Sequence, residues 1–208
     1  VKQEDVMRIA ENLVRKLFIE SIEVDLGEIP VFDYDEALFR YGTDRPDLRF
    51  GLELVDIGDL LLQSEFNVFG APAKAKGSRV VALRLPNGDR LSRKNIDDYT
   101  KFVSIYGAKG LAYIKLNEDG PASPIIKFLG DDVTQKVIDL TEAKTGDIIF
   151  FGADKSKVVN EALGNLREKL GQDLNLFNKE WAPVWVMDFP MFEVSDDGSL
   201  NAIHHPFT

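Results

Sequence analysis

Two adjacent histidines, His204 and His205, are the residues of this 208-residue chain best suited to chemistry, and the sequence contains no other histidine. A neutral imidazole offers one hydrogen-bond donor and one acceptor, and a protonated imidazole offers two donors and a positive charge. Such a group suits a carboxylate ligand. Adjacent residues of a strand point to opposite faces, so at most one of the two can face a given pocket. On the residues alone, a structural histidine pair explains the pattern equally well.

Two acids precede the histidine pair. Asp188 follows the apolar run Trp185–Met187, and the ends of strands are common places for functional carboxylates. A turn acid ahead of Pro190 is the simpler interpretation, and the local sequence favours it. Glu193 offers a second carboxylate in the same segment. Because the chain has no cysteine and no third histidine, no metal centre is expected.

A third candidate is segment 40–49, which reads RYGTDRPDLR. It contains Arg45 and Arg49, and its glycine and proline favour a loop of defined shape. A linker whose charges pair locally is the alternative. The sequence contains neither the phosphate-loop patterns GxxxxGK[ST] and GxGxxG nor the nucleophile-elbow pattern GxSxG. No site of those types is therefore expected.

Charge is unevenly distributed along the chain. The net charge of −10 argues against a general nucleic-acid binder. Segment 74–115 nevertheless carries ten lysines and arginines against three acids, a local charge of +7. It is either a solvated basic face or a local surface that faces phosphates. The composition is typical of a soluble globular protein, and with no apolar run long enough to span a membrane we expect a cytoplasmic one.

Apolar spacing predicts the elements that must position these residues. Helices are expected at 5–20, between Asp33 and Gly42, at 92–107 behind a Ser92 cap, at 131–143 and at 155–170. Strands are expected at 79–85, 111–116, 125–129 and 147–151. The last segment is expected to form a buried strand at Trp185–Met187, a strand from Met191, a turn at 195–199 and a return strand that ends at the histidines.

The order of these elements predicts an α+β fold. Strand–helix–strand occurs twice within 66–152, which indicates a two-layer unit with helices on one face of a mainly antiparallel sheet. The flanking segments do not look self-sufficient. We therefore expect one core, formed by 1–65 and 171–208, that is interrupted by an inserted domain at 66–170.

Four stretches carry a resemblance to a known family: RYGTDRPDLRFGLEL at 40–54, SRKNIDDYTKFVSIYGAKGLAYIK at 92–115, GDIIFFGADKSKVVNEALGNLREKLG at 146–171, and WAPVWVMDFPMFE with AIHHPFT within 181–208. In this order they resemble the bacterial-type aspartyl-tRNA synthetases over nearly the whole chain. The resemblance implies pieces of a class II synthetase core, built on an antiparallel sheet, around an inserted GAD domain. It also implies a two-layer β-β-α-β-β-α order for that domain, which an amidotransferase subunit shares.

The resemblance implies an activity as well. Enzymes of this family activate L-aspartate with ATP to aspartyl-adenylate, assisted by Mg²⁺, and transfer it to the 3′ end of tRNA-Asp. The full-length protein is expected to be a homodimer with an N-terminal OB-fold domain. The Phe-Arg-x-Glu and Gly-Leu-x-Arg motifs of the family do not occur in these 208 residues. We therefore expect the chain by itself to be inactive, to contain no catalytic residue, to bind no ATP or Mg²⁺, and to be monomeric.

The resemblance also suggests roles for individual residues. His204, the first histidine of HHPFT, matches the residue that binds L-aspartate, and His205 is its neighbour. A protonated His204 would favour a substrate carboxylate over an amide, and so help to reject asparagine. The remaining expectations are a site scaffold of Asp188 and Glu193, loop-ordering arginines near the active-site mouth at Arg45 and Arg49, and tRNA contacts from Arg84, Arg90, Arg93 and Lys94.

Two other functions remain open at this point. The chain could be a stand-alone GAD-type module that binds tRNA or associates with an amidotransferase. The inserted domain could also be a spacer that touches no RNA. The HHPFT stretch favours the synthetase segment, because a binding module has no need of it.

Overall fold

The computed structural model describes residues 1–195 and 198–205. Two compact units divide the chain. Unit 1 comprises Val1–Tyr34, Asp47–Phe50 and Phe177–Thr208. Unit 2 comprises Asp35–Pro46 and Gly51–Leu176.

Both units contain helices and strands. In chain order they are α1 (Gln3–Ile22), β1 (Val31–Asp33), α2 (Tyr34–Tyr41), β2 (Leu54–Asp56), α3 (Asn67–Lys74), β3 (Ser78–Leu85), α4 (Arg93–Ser104), β4 (Ala112–Asn117), β5 (Gly120–Ala122), α5 (Ile126–Leu129), α6 (Asp131–Thr141), β6 (Ile148–Lys155), α7 (Ser156–Asp173), β7 (Trp185–Met187), β8 (Phe192–Val194) and β9 (Leu200–Ala202). Short 3₁₀ helices lie at Gly58–Leu61 and Gly88–Arg90. No helix of the described residues combines the length and apolar character needed to cross a membrane.

A five-stranded antiparallel sheet forms the centre of unit 2. Its strand order is β2-β3-β6-β4-β5, and β3 pairs with β6 along eight residues, from Ser78 opposite Lys155 to Leu85 opposite Ile148. Apart from the short helices α3 and α5, the order β2-β3-α4-β4-β5-α6 reproduces the implied β-β-α-β-β-α order, and β6 and α7 follow. The expected α+β class with an antiparallel sheet is confirmed.

Helices pack on both faces of this sheet, whereas the sequence pattern placed them on one. On β6, the Phe151 ring packs against Phe69 of α3, with ring centroids 5.5 Å apart. A Cβ atom at the next residue, Gly152, would lie 2.7 Å from Leu163 and 3.3 Å from Val159 of α7. Because successive residues point to opposite faces, α3 and α7 cover opposite sides. Continuous apolar runs in β3 and β6 explain this burial, since a strand covered on both faces does not alternate.

The predicted helices of unit 2 are confirmed, with small shifts at their ends. Ser92 caps α4 by accepting the backbone N–H of Asn95 at 3.2 Å. Helix α2 ends before Gly42, which has a φ of +73° and donates its N–H to Leu38 O. The expected strand at 125–129 is wrong, because Ser123 Oγ accepts the N–H of Ile125 and turns the chain into the short helix α5.

Two buried arginines hold the end of α2 within unit 2. Arg79 donates to Leu38 O and Phe39 O at 3.5 and 3.1 Å, and to Asn160 Oδ1 at 2.9 Å. These carbonyls belong to the last turn of α2, where backbone donors run out, although Leu38 O also accepts the N–H of Gly42. The fully buried Arg167 donates to a backbone carbonyl and lies 4.9 Å from the Tyr41 ring centroid.

Unit 1 contains one long helix and two small sheets. Strands β1 and β7 pair in parallel, with Val31 opposite Trp185, and β8 and β9 form an antiparallel hairpin. The helix predicted over 5–20 is confirmed as α1, but none of its residues is buried within the described structure. Strand β7 is half-buried rather than buried, and β9 ends at Ala202 rather than at the histidines.

Candidate functional site

The β8–β9 hairpin determines where His204 lies. Phe192 pairs with Ala202, and Ile203 donates its N–H to Met191 O at 3.0 Å. One further step in this antiparallel register places His204 opposite Pro190. The distance from His204 Nδ1 to Pro190 O is 2.8 Å. The hairpin therefore brings the histidine back to the point where the chain leaves β7.

This hydrogen bond fixes the chemistry of the His204 ring. A backbone carbonyl can only accept, so Nδ1 carries the proton. The other nitrogen, Nε2, is then an acceptor in the neutral ring and a charged donor in the protonated ring. His204 is half-buried, whereas His205 is exposed. Within the motif HHPFT, residues 206–208 lie outside the described residues.

Two aromatic rings contact the His204 ring edge-to-face. Phe189 lies 4.9 Å away at an interplanar angle of 85°, and Tyr34 lies 5.4 Å away at 74°. Tyr34 and Phe189 also contact each other at 5.2 Å. Sequence reasoning missed both residues. Phe189 lies next to the candidate Asp188, whereas Tyr34 is distant in the chain and belongs to no motif.

The candidate acids occupy two different positions in unit 1. Asp188 directly follows β7, is exposed, and has a left-handed φ of +58°, a conformation that aspartate tolerates better than most residues. Glu193 is exposed in the middle of β8, opposite Asn201. The turn expected at 195–199 includes residues 196 and 197, which lie outside the described residues.

The two candidate arginines of segment 40–49 belong to different units. In unit 1, Arg49 binds Asp47 with Nη2 at 2.7 Å and Nε at 3.0 Å, and its guanidinium lies 4.6 Å from the Phe177 ring centroid. The hydrogen bond to Asp47 raises the pKa of Arg49. In unit 2, Arg45 is exposed, and its backbone N–H lies 3.4 Å from Thr43 Oγ1.

Arg84 differs from the other cations proposed to contact tRNA. Its Nε donates to Asp147 Oδ2 at 2.7 Å, and the side chain of Asp147 is only 5% exposed. The same carboxylate accepts the backbone N–H groups of Asn87 and Lys144 at 3.0 and 2.9 Å. Arg84 therefore compensates a buried charge at the end of β3.

Arg90, Arg93 and Lys94 form an exposed basic surface in unit 2, which we call the α4 basic surface. Arg90 ends a 3₁₀ helix, and Arg93 and Lys94 are the first two residues of α4. All three are exposed, and no ion pair involves them among the described residues. The positive end of the α4 dipole adds to their charge, so this surface attracts anions.

Within the described ranges, no group of three or more histidine, cysteine, aspartate or glutamate residues could hold a metal ion. We therefore assign none of these residues to Mg²⁺.

Much of unit 2 is similar to a known domain family. Residues 69–163, from α3 to α7, match the family described as GAD domain. This range contains the α4 basic surface and most of the five-stranded sheet.

A comparison over the whole chain adds the identity of the flanking segments. The chain is 61% identical over 209 aligned residues to the aspartate–tRNA(Asp/Asn) ligase of Ruthia magnifica subsp. Calyptogena magnifica. The match covers 100% of this chain but only 36% of that relative. The resemblance to the bacterial-type aspartyl-tRNA synthetases is therefore confirmed, and the chain spans about a third of the length of that relative.

Proposed function

We propose that the chain is part of an aspartate–tRNA ligase, which activates L-aspartate with ATP and transfers it to the 3′ end of tRNA-Asp. The observation that carries this proposal is the similarity over the whole chain, including the hairpin that presents His204. A stand-alone GAD module would need similarity only within 69–163. The similarity of the flanks therefore favours the ligase.

Within that enzyme, His204 binds the side-chain carboxylate of L-aspartate. The bond from Nδ1 to Pro190 O directs the opposite nitrogen, Nε2, away from the hairpin backbone. When the ring is protonated, Nε2–H forms a charge-assisted hydrogen bond to a carboxylate, which is stronger than a bond to a neutral amide. This difference supports selection of aspartate over asparagine. His205, which is exposed, is the neighbour of the binding residue.

The test is a comparison of two variants in the full-length enzyme. His204→Ala should raise the KM for aspartate about tenfold or more, because it removes a hydrogen bond to a charged group. The KM for ATP should stay within about twofold, since this interaction is specific to aspartate. His205→Ala is the matched control and should change both constants little. Equal increases in the two KM values for His204→Ala would contradict the assignment.

Several properties of the full-length enzyme belong to the same proposal. They are the use of ATP and Mg²⁺, a homodimeric state and a cytoplasmic location. The domain boundaries 1–65, 66–170 and 171–208 also stay predictions. We further propose that Asp188 and Glu193 are scaffold near the aspartate site, and that Arg45 and Arg49 order the loop near the active-site mouth.

For the GAD domain we propose contact with the tRNA backbone. The α4 basic surface supports this role, because its three cations are exposed and lie at the positive end of a helix. Each phosphate contact adds a salt-dependent attraction that does not depend on sequence. Arg84 is left out of this surface, since it is paired with Asp147.

Charge reversal in the full-length enzyme tests the tRNA contact. The double variant Arg93→Glu, Lys94→Glu should weaken tRNA binding at low salt and reduce the salt dependence of the affinity by about one unit per lost contact. Lys101→Glu is the control, because Lys101 lies at the other end of α4 and pairs with Asp98 at 3.3 Å. An unchanged affinity of the double variant would favour the spacer function.

A further inference from the structure

The ring of His204 is held by more than its hydrogen bond. Tyr34 and Phe189 contact it edge-to-face and contact each other, so that the three rings form a closed cluster. All three residues belong to unit 1, and no sequence motif of the site includes Tyr34. This cluster has no role in the function proposed above.

Three separate segments bring these rings together. The parallel pairing of β1 with β7 ends with Asp33 opposite Met187. The next residue after β1 is Tyr34, which therefore lies beside the residue that follows β7. That residue is Asp188, whose left-handed conformation turns the chain before Phe189. The hairpin register then adds His204 opposite Pro190. A ring cluster at a junction of three segments restricts the histidine from more than one side.

We propose that Tyr34 and Phe189 are positioning residues for His204, and this inference rests on the proposed function of His204 in aspartate binding. The hydrogen bond to Pro190 O fixes the direction of Nδ1, but a single hydrogen bond does not by itself set the tilt of the ring about it. The two aromatic contacts restrict this tilt. An imidazole that is already oriented loses less freedom when a carboxylate binds, so the affinity for aspartate is higher.

Ring-to-aliphatic substitutions in the full-length enzyme test the proposal. Tyr34→Leu and Phe189→Leu should each raise the KM for aspartate about twofold to tenfold, the range of an aromatic pair. The kcat and the KM for ATP should stay within about twofold, because only the aspartate contact is affected. Tyr34→Phe, which keeps the ring, should raise the KM for aspartate less than Tyr34→Leu does. Phe18→Leu is the matched control, because Phe18 makes an edge-to-face contact with Trp181 in the same unit.

A double-mutant cycle separates positioning from a general loss of packing. In the His204→Ala background, Phe189→Leu should cause no further increase in the KM for aspartate, since there is no imidazole left to orient. A full additional increase would contradict the positioning role. If His204→Ala itself leaves the aspartate KM unchanged, the proposed function fails instead. If His204→Ala raises it and neither leucine variant does, only the present inference fails.

A spectroscopic measurement on the 208-residue chain gives an independent readout. The chain has two histidines, so a His205→Ala variant leaves a single imidazole to observe by ¹⁵N NMR. We expect the Nδ1–H tautomer of His204, and we expect Phe189→Leu to increase the population of the other tautomer. Unchanged ring signals in Phe189→Leu would contradict the proposal.

Discussion

The two units of the chain bury their apolar residues to very different extents. In unit 2, the paired strands β3 and β6 contribute residues such as Val81, Leu83 and Phe150 that are 0% exposed. In unit 1, only Ile29 and Phe50 are buried hydrophobic residues among those the structure describes. Unit 2 therefore has a core of its own, whereas unit 1 has very little.

Unit 1 also exposes surfaces that normally require a partner. The apolar face of α1 is open, with Ile9 65% and Leu13 61% exposed. Within the described residues, the buried indole Nε1 of Trp185 has no hydrogen-bond partner, which is uncommon in complete proteins. Because the chain spans 36% of the length of its relative, we propose that other segments of the enzyme cover these surfaces. An inserted domain within an interrupted core, which the sequence predicts, would produce such a difference.

The largest expected effect is the loss of a core ring in unit 2. Phe151 is 2% exposed and packs on Phe69, so Phe151→Ala should lower the free energy of unfolding of unit 2 by about 3–5 kcal/mol. Phe128→Ala is the matched control, because Phe128 is 53% exposed and its ring contacts are a stack on Phe66 and the Lys127 ammonium 4.8 Å from its centroid. Phe128→Ala should lower the free energy of unfolding of unit 2 by only about 1 kcal/mol.

The two units can be followed separately during unfolding. Both tryptophans, Trp181 and Trp185, lie in unit 1, so tryptophan fluorescence reports on that unit. Hydrogen exchange of the β3 and β6 amides reports on unit 2. If Phe151→Ala shifted the fluorescence transition as much as the exchange of these amides, the independence of the two units would be refuted.

The second prediction concerns the attachment of α2 within unit 2. Gly42 has a φ of +73°, and a Cβ atom there would lie 2.5 Å from Asn160 O and 3.0 Å from the Cα atom of Gly164. Gly42→Ala should therefore lower the free energy of unfolding by about 2–3 kcal/mol, from backbone strain together with the clash.

Gly77→Ala separates these two causes. Gly77 has nearly the same φ, +75°, but a Cβ atom there would meet nothing within 4 Å. Only backbone strain remains at this position, so the expected loss is about 1 kcal/mol. Equal losses at Gly42 and Gly77, measured by urea unfolding, would mean that the close approach to α7 does not matter.

Sequence patterns predicted unit 2 well because its local signals agree with its tertiary packing. The cap at Ser92, the turn at Gly42 and the apolar strands β3 and β6 each specify one local structure. The sequence patterns did not predict the second layer of helices, on the other face of the sheet. A continuous apolar run indicates burial on both faces but does not say which helix covers each face.

The candidate site was predictable only in part. His204 stands out because histidine is rare in this chain, and Asp188 because it directly follows a strand. Tyr34 could not be found in the same way, since its contact with His204 depends on a parallel pairing between strands that are far apart in the chain.

The sequence patterns also overestimated the burial of unit 1, for a related reason. An amphipathic pattern shows which face of α1 is apolar, but not whether the described residues cover it.

The third prediction is a pH dependence of unit 2. Burial, with a smaller effect of the Asp173 charge, raises the pKa of Tyr99 to about 12 from 10.0. The unfolded state therefore loses its tyrosine proton first as the pH rises, so this contribution to stability is present below pH 10 and is lost between about 10 and 12. Tyr99→Phe should have a flatter stability profile over this range.

An absorbance titration measures the same group directly. Tyr99 should be a late-titrating phenol among the five tyrosines, and Asp173→Asn should shift its titration to lower pH. Since Tyr99 OH donates to Asp173 Oδ2 at 3.1 Å, Tyr99→Phe should also cost about 1 kcal/mol at neutral pH. A stability profile of Tyr99→Phe parallel to that of the unmodified chain would refute the shift.

The smallest expected effect tests unit 1. Leu13 is 61% exposed on α1, so Leu13→Ala should change the free energy of unfolding of this 208-residue chain by less than about 0.5 kcal/mol, the usual range for a surface substitution. Leu163→Ala in α7 is the contrasting variant, because Leu163 is 1% exposed and should cost about 2–5 kcal/mol.

The same pair of variants in the full-length enzyme decides whether the open face of α1 is covered there. If other segments cover it, Leu13→Ala becomes a core substitution and its cost rises to about 2–5 kcal/mol, whereas the cost of Leu163→Ala stays the same. Fluorescence reports this change, because Trp181 contacts Phe18 of α1 at 5.1 Å. A cost for Leu13→Ala that stays below about 0.5 kcal/mol in the longer protein would mean that α1 keeps its apolar face in solvent. The low burial of apolar residues in unit 1 would then be a property of unit 1 itself. It would not result from the absence of the other segments of the enzyme.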